Sequence, residues 1–328
     1  MTPAEILSIR DPKSVLREII SSISKDGPVD QELLETLAYL KEYFPDTFAE
    51  EEPKLMYVLG LFYKVEEPQD LISFVFSVFK ESIENEYGQT LTPIQASIRK
   101  KIDANKYFSF SAPTSAGKSH LLRELVLGYN CDIVIVLPSR ALISEYLITV
   151  RNIVQGRKDI LVLQFIDDVN RARVAKRVFI VTPERCADLF RLSGRFNIGM
   201  FIFDEAQISE ESIRGVTFDA LVRRSDKVFK DAKKIFVHPF VENPGAQLIK
   251  HGFEGECSES HVYRQNAVGK IYIERDSLTG SYSYFSPFLP DGYKKKNKFE
   301  VDFDPVKEVL LAGGSVLIFV SKKFIYDG

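Results

Sequence analysis

Apolar side chains recur at three- and four-residue spacing through the first 88 residues, as in Val15-Leu16-Ile19-Ile20-Ile23 and Leu33-Leu34-Leu37-Leu40. That spacing gathers them on one helical face, so residues 1–88 are expected to form an all-α N-terminal domain. Breaks are expected at Gly27-Pro28, Pro45 and Pro53. Phe74, Phe76 and Phe79 predict an aromatic-rich helix that belongs in a core. From about residue 107 the pattern changes to short β-branched and aromatic runs that alternate with helical stretches. The runs are Tyr107–Phe110, Ile133–Leu137, Ile160–Phe165, Val178–Val181, Met200–Phe203 and Ile235–Val237. Alternation of this kind predicts an α/β domain with a parallel sheet, bounded here as residues 89–262.

The segments just after those runs carry the chemistry. Ala112-Pro113-Thr114-Ser115-Ala116-Gly117-Lys118-Ser119 comes after the first, and Pro138-Ser139-Arg140 after the second. Thr182-Pro183-Glu184-Arg185 comes after the fourth, Asp204-Glu205 after the fifth and His238-Pro239 after the sixth. In a doubly wound sheet the carboxyl ends of parallel strands share one edge, where ligands bind. These separate segments should therefore line one crevice. Residues 263–328 are rich in Tyr, Ser, Gly and Lys and predict a short hairpin or an insertion. Val316–Val320 then reads as a buried strand close to Gly328, which leads us to expect a chain cut short just after a further α/β unit begins.

A glycine-rich loop between a strand and a helix aims backbone N–H groups at phosphate, and the helix dipole adds to the attraction. Gly117, Lys118 and Ser119 fit the pattern G-x-x-x-x-G-K-[ST], with Ala112 in place of its first glycine. Thr114, Ser115, Ala116 and Gly117 would cradle the phosphates and Lys118 would neutralise their charge. The Ser119 hydroxyl would hold Mg²⁺. Adjacent carboxylates at a strand end are costly to hold together without a cation. Asp204 is therefore expected to bind Mg²⁺, and Glu205 to orient the attacking water. The competing readings are a surface Ser-Ala-Gly-Lys-Ser turn and a solvated acidic turn.

Composition adds bounds. The chain of 328 residues is 45% hydrophobic and 27% charged, ordinary for a water-soluble globular protein. Cys131, Cys186 and Cys257 lie too far apart for a zinc knuckle or a disulfide framework, which points to a reducing, cytoplasmic setting. No apolar run approaches the roughly 18 residues that span a bilayer, so no membrane partner is expected. Residues 1–90 carry 18 acidic and 8 basic side chains, and the remaining 238 carry 28 and 35. A phosphate-backbone partner would thus meet the later part of the chain. The acidic helices could receive a protein, or could simply be a solvated domain.

Taken together the motifs resemble the superfamily 2 DEAD/DEAH-box helicases. Ala112–Ser119 is similar to the family's first motif, Pro138–Leu142 to motif Ia, and Thr182–Arg185 to motif Ib. Asp204-Glu205-Ala206-Gln207 is similar to the motif that names the group. Thr92-Pro93-Ile94-Gln95 resembles its adenine-reading segment, and Arg214-Gly215 resembles a pair in the Ski2-like branch. Val316–Val320 with Ser321 looks like motif IV. The resemblance implies a RecA-like P-loop NTPase domain, with residues 263–328 as a linker and the start of an incomplete second RecA-like domain. It implies ATP and Mg²⁺ as cofactors and DNA or RNA as partner. Gln95 would read adenine, Gln207 would sense the γ-phosphate, and Arg140, Thr182 and Arg185 would grip the sugar-phosphate backbone. The alternatives are ordinary polar residues for Gln95 and Gln207 and a helix start for Thr182 and Arg185. Two departures stand out. Val237-His238-Pro239-Phe240 occupies the place of the family's Ser-Ala-Thr, and His238 reads equally as a buried structural histidine. The later arginine-bearing motifs are absent from this sequence, so the chain alone is expected to hydrolyse little ATP. The alternatives are an ATP-gated scaffold or defence-system subunit that never unwinds, and a P-loop phosphotransferase, which would not need the Gln95, Pro138 and Thr182 segments.

Overall fold

The structure is a computed structural model. It describes residues 3–113, 118–166, 174–264, 269–285 and 299–318, apart from 28, 66, 240 and 312. The helices, in chain order, are α1 Pro3–Leu7, α2 Pro12–Asp26, α3 Gln31–Tyr43, α4 Pro45–Val58, α5 Leu71–Tyr87, α6 Pro93–Ala104, α7 Lys118–Gly128, α8 Arg140–Ile153, α9 Ala187–Arg191, α10 Ser212–Val228, α11 Ala246–His251 and α12 Pro305–Leu311. The strands are β1 Tyr107–Ser111, β2 Asp132–Val136, β3 Ile160–Leu163, β4 Lys176–Val181, β5 Ile198–Asp204, β6 Lys233–His238, β7 Ser258–Val262, β8 Ile273–Arg275, β9 Tyr282–Tyr284 and β10 Phe299–Val301. The chain divides into two compact units, residues 56–267 and residues 1–55 with 268–328.

The larger unit is built on a seven-stranded sheet of order β3-β4-β2-β5-β6-β1-β7. Every neighbouring pair in it is parallel. Side chains alternate across a strand, and both faces are covered. Phe108, Phe110, Ile133, Ile135, Met200 and Ile202 pack under α6, α7 and α8 through Ile102, Leu125 and Val150. Val134, Val136, Phe179, Phe201, Phe203 and Phe236 pack under α9, α10 and α11 through Leu189, Phe218 and Leu248. Burial on both faces is why β2 and β5 are continuous apolar runs. All six expected strands are present. The seventh, Ser-Glu-Ser-His-Val in β7, lacks an apolar signature because it lies at the sheet edge with Ser260 and His261 exposed.

The smaller unit packs α1 and α3 with a three-stranded antiparallel sheet of order β10-β9-β8. Its core joins Ile6, Tyr39, Tyr284 and Val301. The expected hairpin is β8–β9, which pairs Ile273 with Tyr284.

Three expectations need correction. Pro53 does not end a helix; it lies inside α4. A proline there forfeits one helical hydrogen bond, and burial of Leu55, Tyr57 and Val58 just beyond it offsets the loss. Helix α5 is not core all round. Leu71, Phe74, Val75, Val78 and Phe79 are 77, 55, 59, 50 and 48% exposed. The face with Phe76, Phe79 and Ile83 meets a surface formed by Tyr57, Phe62, Leu91 and Ala96, the half-exposed Phe79 ring standing edge-on to Phe62. Residues 316–318 form no strand, and Leu317 and Ile318 are largely exposed. A lone apolar strand has no ladder to join and no face to bury. The rest of that segment, 319–328, lies outside the described residues.

Candidate functional site

Because the sheet is parallel, β1, β2, β4, β5 and β6 all end on one edge. Lys118 is the first residue of α7, the helix that comes after β1, and Asp204 is the last residue of β5. Only β6 separates these two strands. Thr114, Ser115, Ala116 and Gly117 lie outside the described residues, as do the side chains of Lys118 and Ser119.

Asp204 is buried, 5% exposed. Its Oδ2 accepts a hydrogen bond from the hydroxyl of Tyr146 on α8. Burial, reinforced by the Asp204 and Glu205 charges, pushes the Tyr146 phenol far up, so it stays a donor. Glu205 has left-handed backbone, φ 55° and ψ 44°, a region that L-residues with a long side chain rarely enter. Its Oε2 accepts from Gln207 Nε2 at 2.5 Å. The chain then makes a 3₁₀ turn over Ala206–Glu210 that is anchored on two helices. Ser209 Oγ donates to Asp219 Oδ1 at 2.7 Å, and Lys250 Nζ donates to the Ser209 carbonyl at 2.8 Å.

A second cluster surrounds a cavity of about 390 Å³ at the ends of β2 and β4, lined by Pro138, Ser139, Arg140, Thr182, Glu184, Arg185 and Arg214. Ser139 caps α8 by accepting from Leu142 N at 3.3 Å, which leaves Arg140 exposed as the first helical residue. The Arg214 guanidinium donates to the Pro138 carbonyl. Burial would raise the Glu184 carboxyl, but a hydrogen bond from Thr182 and the charges of Arg214 and Arg140 hold it below the usual carboxylate range. Arg185 lies over the Phe165 ring at 4.8 Å. The wall is therefore strongly cationic, with one carboxylate inside it, and suits a polyanion held by its phosphates.

Gln95 is buried and belongs to a capping box. Its Oε1 accepts from Thr92 N at 3.0 Å, and its own N–H donates to Thr92 Oγ1 at 3.3 Å. His238 is 3% exposed. Its Nε2 lies 3.1 Å from Ser109 Oγ, which donates to the Pro244 carbonyl at 2.7 Å. Since that hydroxyl has a single proton, His238 Nε2 is assigned as the donor. His238 thus ties the end of β6 to β1.

Among the described residues no three His, Cys, Asp or Glu side chains cluster as a metal cage. One or two carboxylates beside a phosphate site fit magnesium, which keeps waters and takes its other ligands from the nucleotide. Sequence reasoning left Tyr146 out of the site, and it noted Arg214 only as part of an Arg-Gly pair without a site role. For Tyr146 a signal existed: it lies on the α8 stripe of Ile143, Leu147 and Val150, a hydroxyl on a core-facing surface.

A family model described as DEAD/DEAH box helicase matches residues 92–237. No curated protein sequence matches the chain. Solved structures similar to it include the DUF1998 helicase MrfA, at 12% identity over 56% of this chain and 32% of that one, with a TM-score of 0.44. Another is a hypothetical ATP-dependent RNA helicase from Sulfolobus tokodaii, at 17% identity over 56% of each chain, with a TM-score of 0.40. The chain thus covers less than two thirds of the length of either. The family match runs from the cap of α6 to Val237, one residue before the end of β6, and takes in both clusters at the sheet edge. The α/β architecture of the larger unit is RecA-like, and residues 92–237 are similar to the DEAD/DEAH box helicase domain.

Proposed function

We propose that the sheet edge binds ATP with magnesium and grips a nucleic-acid backbone, as the first motor domain, residues 89–262, of an ATP-dependent helicase or translocase. The observation that carries this reading is the family match across a parallel sheet whose β1 and β5 end at Lys118-bearing α7 and at Asp204. Backbone N–H groups of Thr114–Gly117 would cradle the phosphates, with Lys118 against their charge. Ser119 and Asp204 would hold magnesium, which would screen the β- and γ-phosphates. Glu205 would orient and polarise the attacking water, and Gln207, hydrogen-bonded to it, would sense the γ-phosphate. Gln95 would read adenine with the part of its amide that the capping box does not use. Arg140, Thr182 and Arg185 would hold phosphates of a DNA or RNA strand without reading its sequence.

A fluorescent ATP analogue titrated into the 328-residue chain tests the nucleotide half. Lys118→Ala is expected to weaken binding by at least about tenfold, equivalent to roughly 1.4 kcal/mol. Unchanged affinity removes the phosphate-loop assignment. In any longer protein that turns over ATP, Glu205→Gln should trap bound nucleotide.

The exposed stripe on α5 favours a second reading. Leu71, Phe74, Val75 and Val78 recur on one helical face beside acidic residues. That surface supports a protein-binding role for the N-terminal helices, including an ATP-gated scaffold that does not unwind. Strand separation by the intact protein would exclude the scaffold.

A further inference from the structure

Tyr146 belongs to none of the segments that carry the resemblance's site roles, yet its hydroxyl donates directly to Asp204 Oδ2. Its ring packs against the core beneath the sheet, in the stripe with Ile143 and Leu147. A buried carboxylate needs donors, and a phenol is a particular choice. A lysine or arginine there would neutralise Asp204 and compete with any cation it is meant to hold. A phenol supplies the hydrogen bond and leaves the negative charge in place. It also fixes the last torsion of Asp204, which is broad when nothing supports it. One carboxylate oxygen is thereby committed, and the plane of the group is set by a rigid ring on a helix rather than by the turn after β5.

We propose that Tyr146 is a positioning residue for the metal-holding carboxylate, orienting Asp204 toward magnesium on a bound nucleotide. The proposal rests on the reading of Asp204 as the metal-side carboxylate. It also gives α8 two ends with different tasks. Arg140 opens the helix at the cationic cavity, and Tyr146, six residues on, reaches the floor of the nucleotide site.

The test uses the 328-residue chain and a fluorescent ATP analogue, titrated with Mg²⁺ and separately in EDTA. Tyr146→Phe keeps the ring and removes only the donor. It should raise the half-saturating Mg²⁺ concentration by about tenfold, the usual effect of losing an outer-shell partner. Affinity in EDTA should stay as in the unaltered chain, and the thermal unfolding midpoint should fall only modestly, because one buried oxygen of Asp204 loses its donor. In an Asp204→Ala background the same change should add nothing, because its effect runs through that carboxylate. Tyr146→Met, which also fills the space without a donor, should repeat the Mg²⁺ shift and serves if the phenylalanine variant does not fold. The proposal is overturned by an unchanged Mg²⁺ midpoint, by an equal shift without Asp204, or by a parallel loss of affinity in EDTA. If the unaltered chain binds no nucleotide with or without Mg²⁺, the nucleotide reading itself fails and this proposal falls with it.

Discussion

Glu205 is the only non-glycine residue with positive φ among the described residues. Such backbone costs roughly 1–2 kcal/mol for an L-residue, and it sits where the sheet edge turns into the 3₁₀ segment. The fold maintains it through side chains distant in sequence, Asp219 and Lys250, which hold Ser209. His251 completes that group, 3.4 Å from Asp219 and with no exposed side-chain surface. Burial first, aided by Arg223 and Lys250 and opposed by Asp219, lowers its pKa from 6.5 to about 4. Above pH 6.5 the imidazole is neutral in both folded and unfolded chains and has no effect. Below it the unfolded chain takes up a proton that the folded chain resists, so stability should fall as pH drops toward 4, by on the order of 3 kcal/mol. Urea unfolding at pH 7, 5.5 and 4.5 measures this, and His251→Gln should flatten the profile over that interval. If both proteins respond alike, His251 is not the group responsible. Gln95 shows what a residue's identity leaves undecided: its capping bonds with Thr92 are local and follow from the Thr-Pro-Ile-Gln order.

Helix α10 meets the turn after Asp204 at Gly215. A Cβ there would lie 2.7 Å from the Ser209 carbonyl oxygen and 3.0 Å from its carbon. Backbone cannot yield as a flexible side chain can, so Gly215→Ala should cost about 1–3 kcal/mol. It should also displace the turn that carries Gln207. Chemical denaturation reads the first effect. A variant as stable as its parent would show that the two segments can separate without cost. At this scale the strands were visible in the chain because burial on both faces demands apolar runs. The edge strand β7 was not, since one exposed flank relaxes that demand. Helix α5 errs in the opposite direction: its aromatic density says only that a helix forms and is apolar, whereas the available partner surface determines which side is covered.

Across the larger unit, cationic residues collect at the strand ends near the cavity, although the whole chain has a net charge of -3. Single-strand binding should therefore weaken steeply with salt, by counterion release. Alanine in place of Arg140, Arg185 or Arg214 should each lower affinity for all sequences alike and reduce the log–log salt slope by about 0.7–1. Filter or anisotropy titrations at several salt concentrations measure this, and an unaltered slope would place the strand elsewhere. From the order of residues alone came the parallel sheet, its six apolar strands and the polar segments that end them, because each depends on side chains within a few positions of one another. Tertiary folding alone joined Tyr146 to Asp204, Arg214 to Pro138, and residues 1–55 to 268–328 in one unit. Those pairings span long loops of chain, and the free energy that selects them comes from shared burial and charge that no local period records.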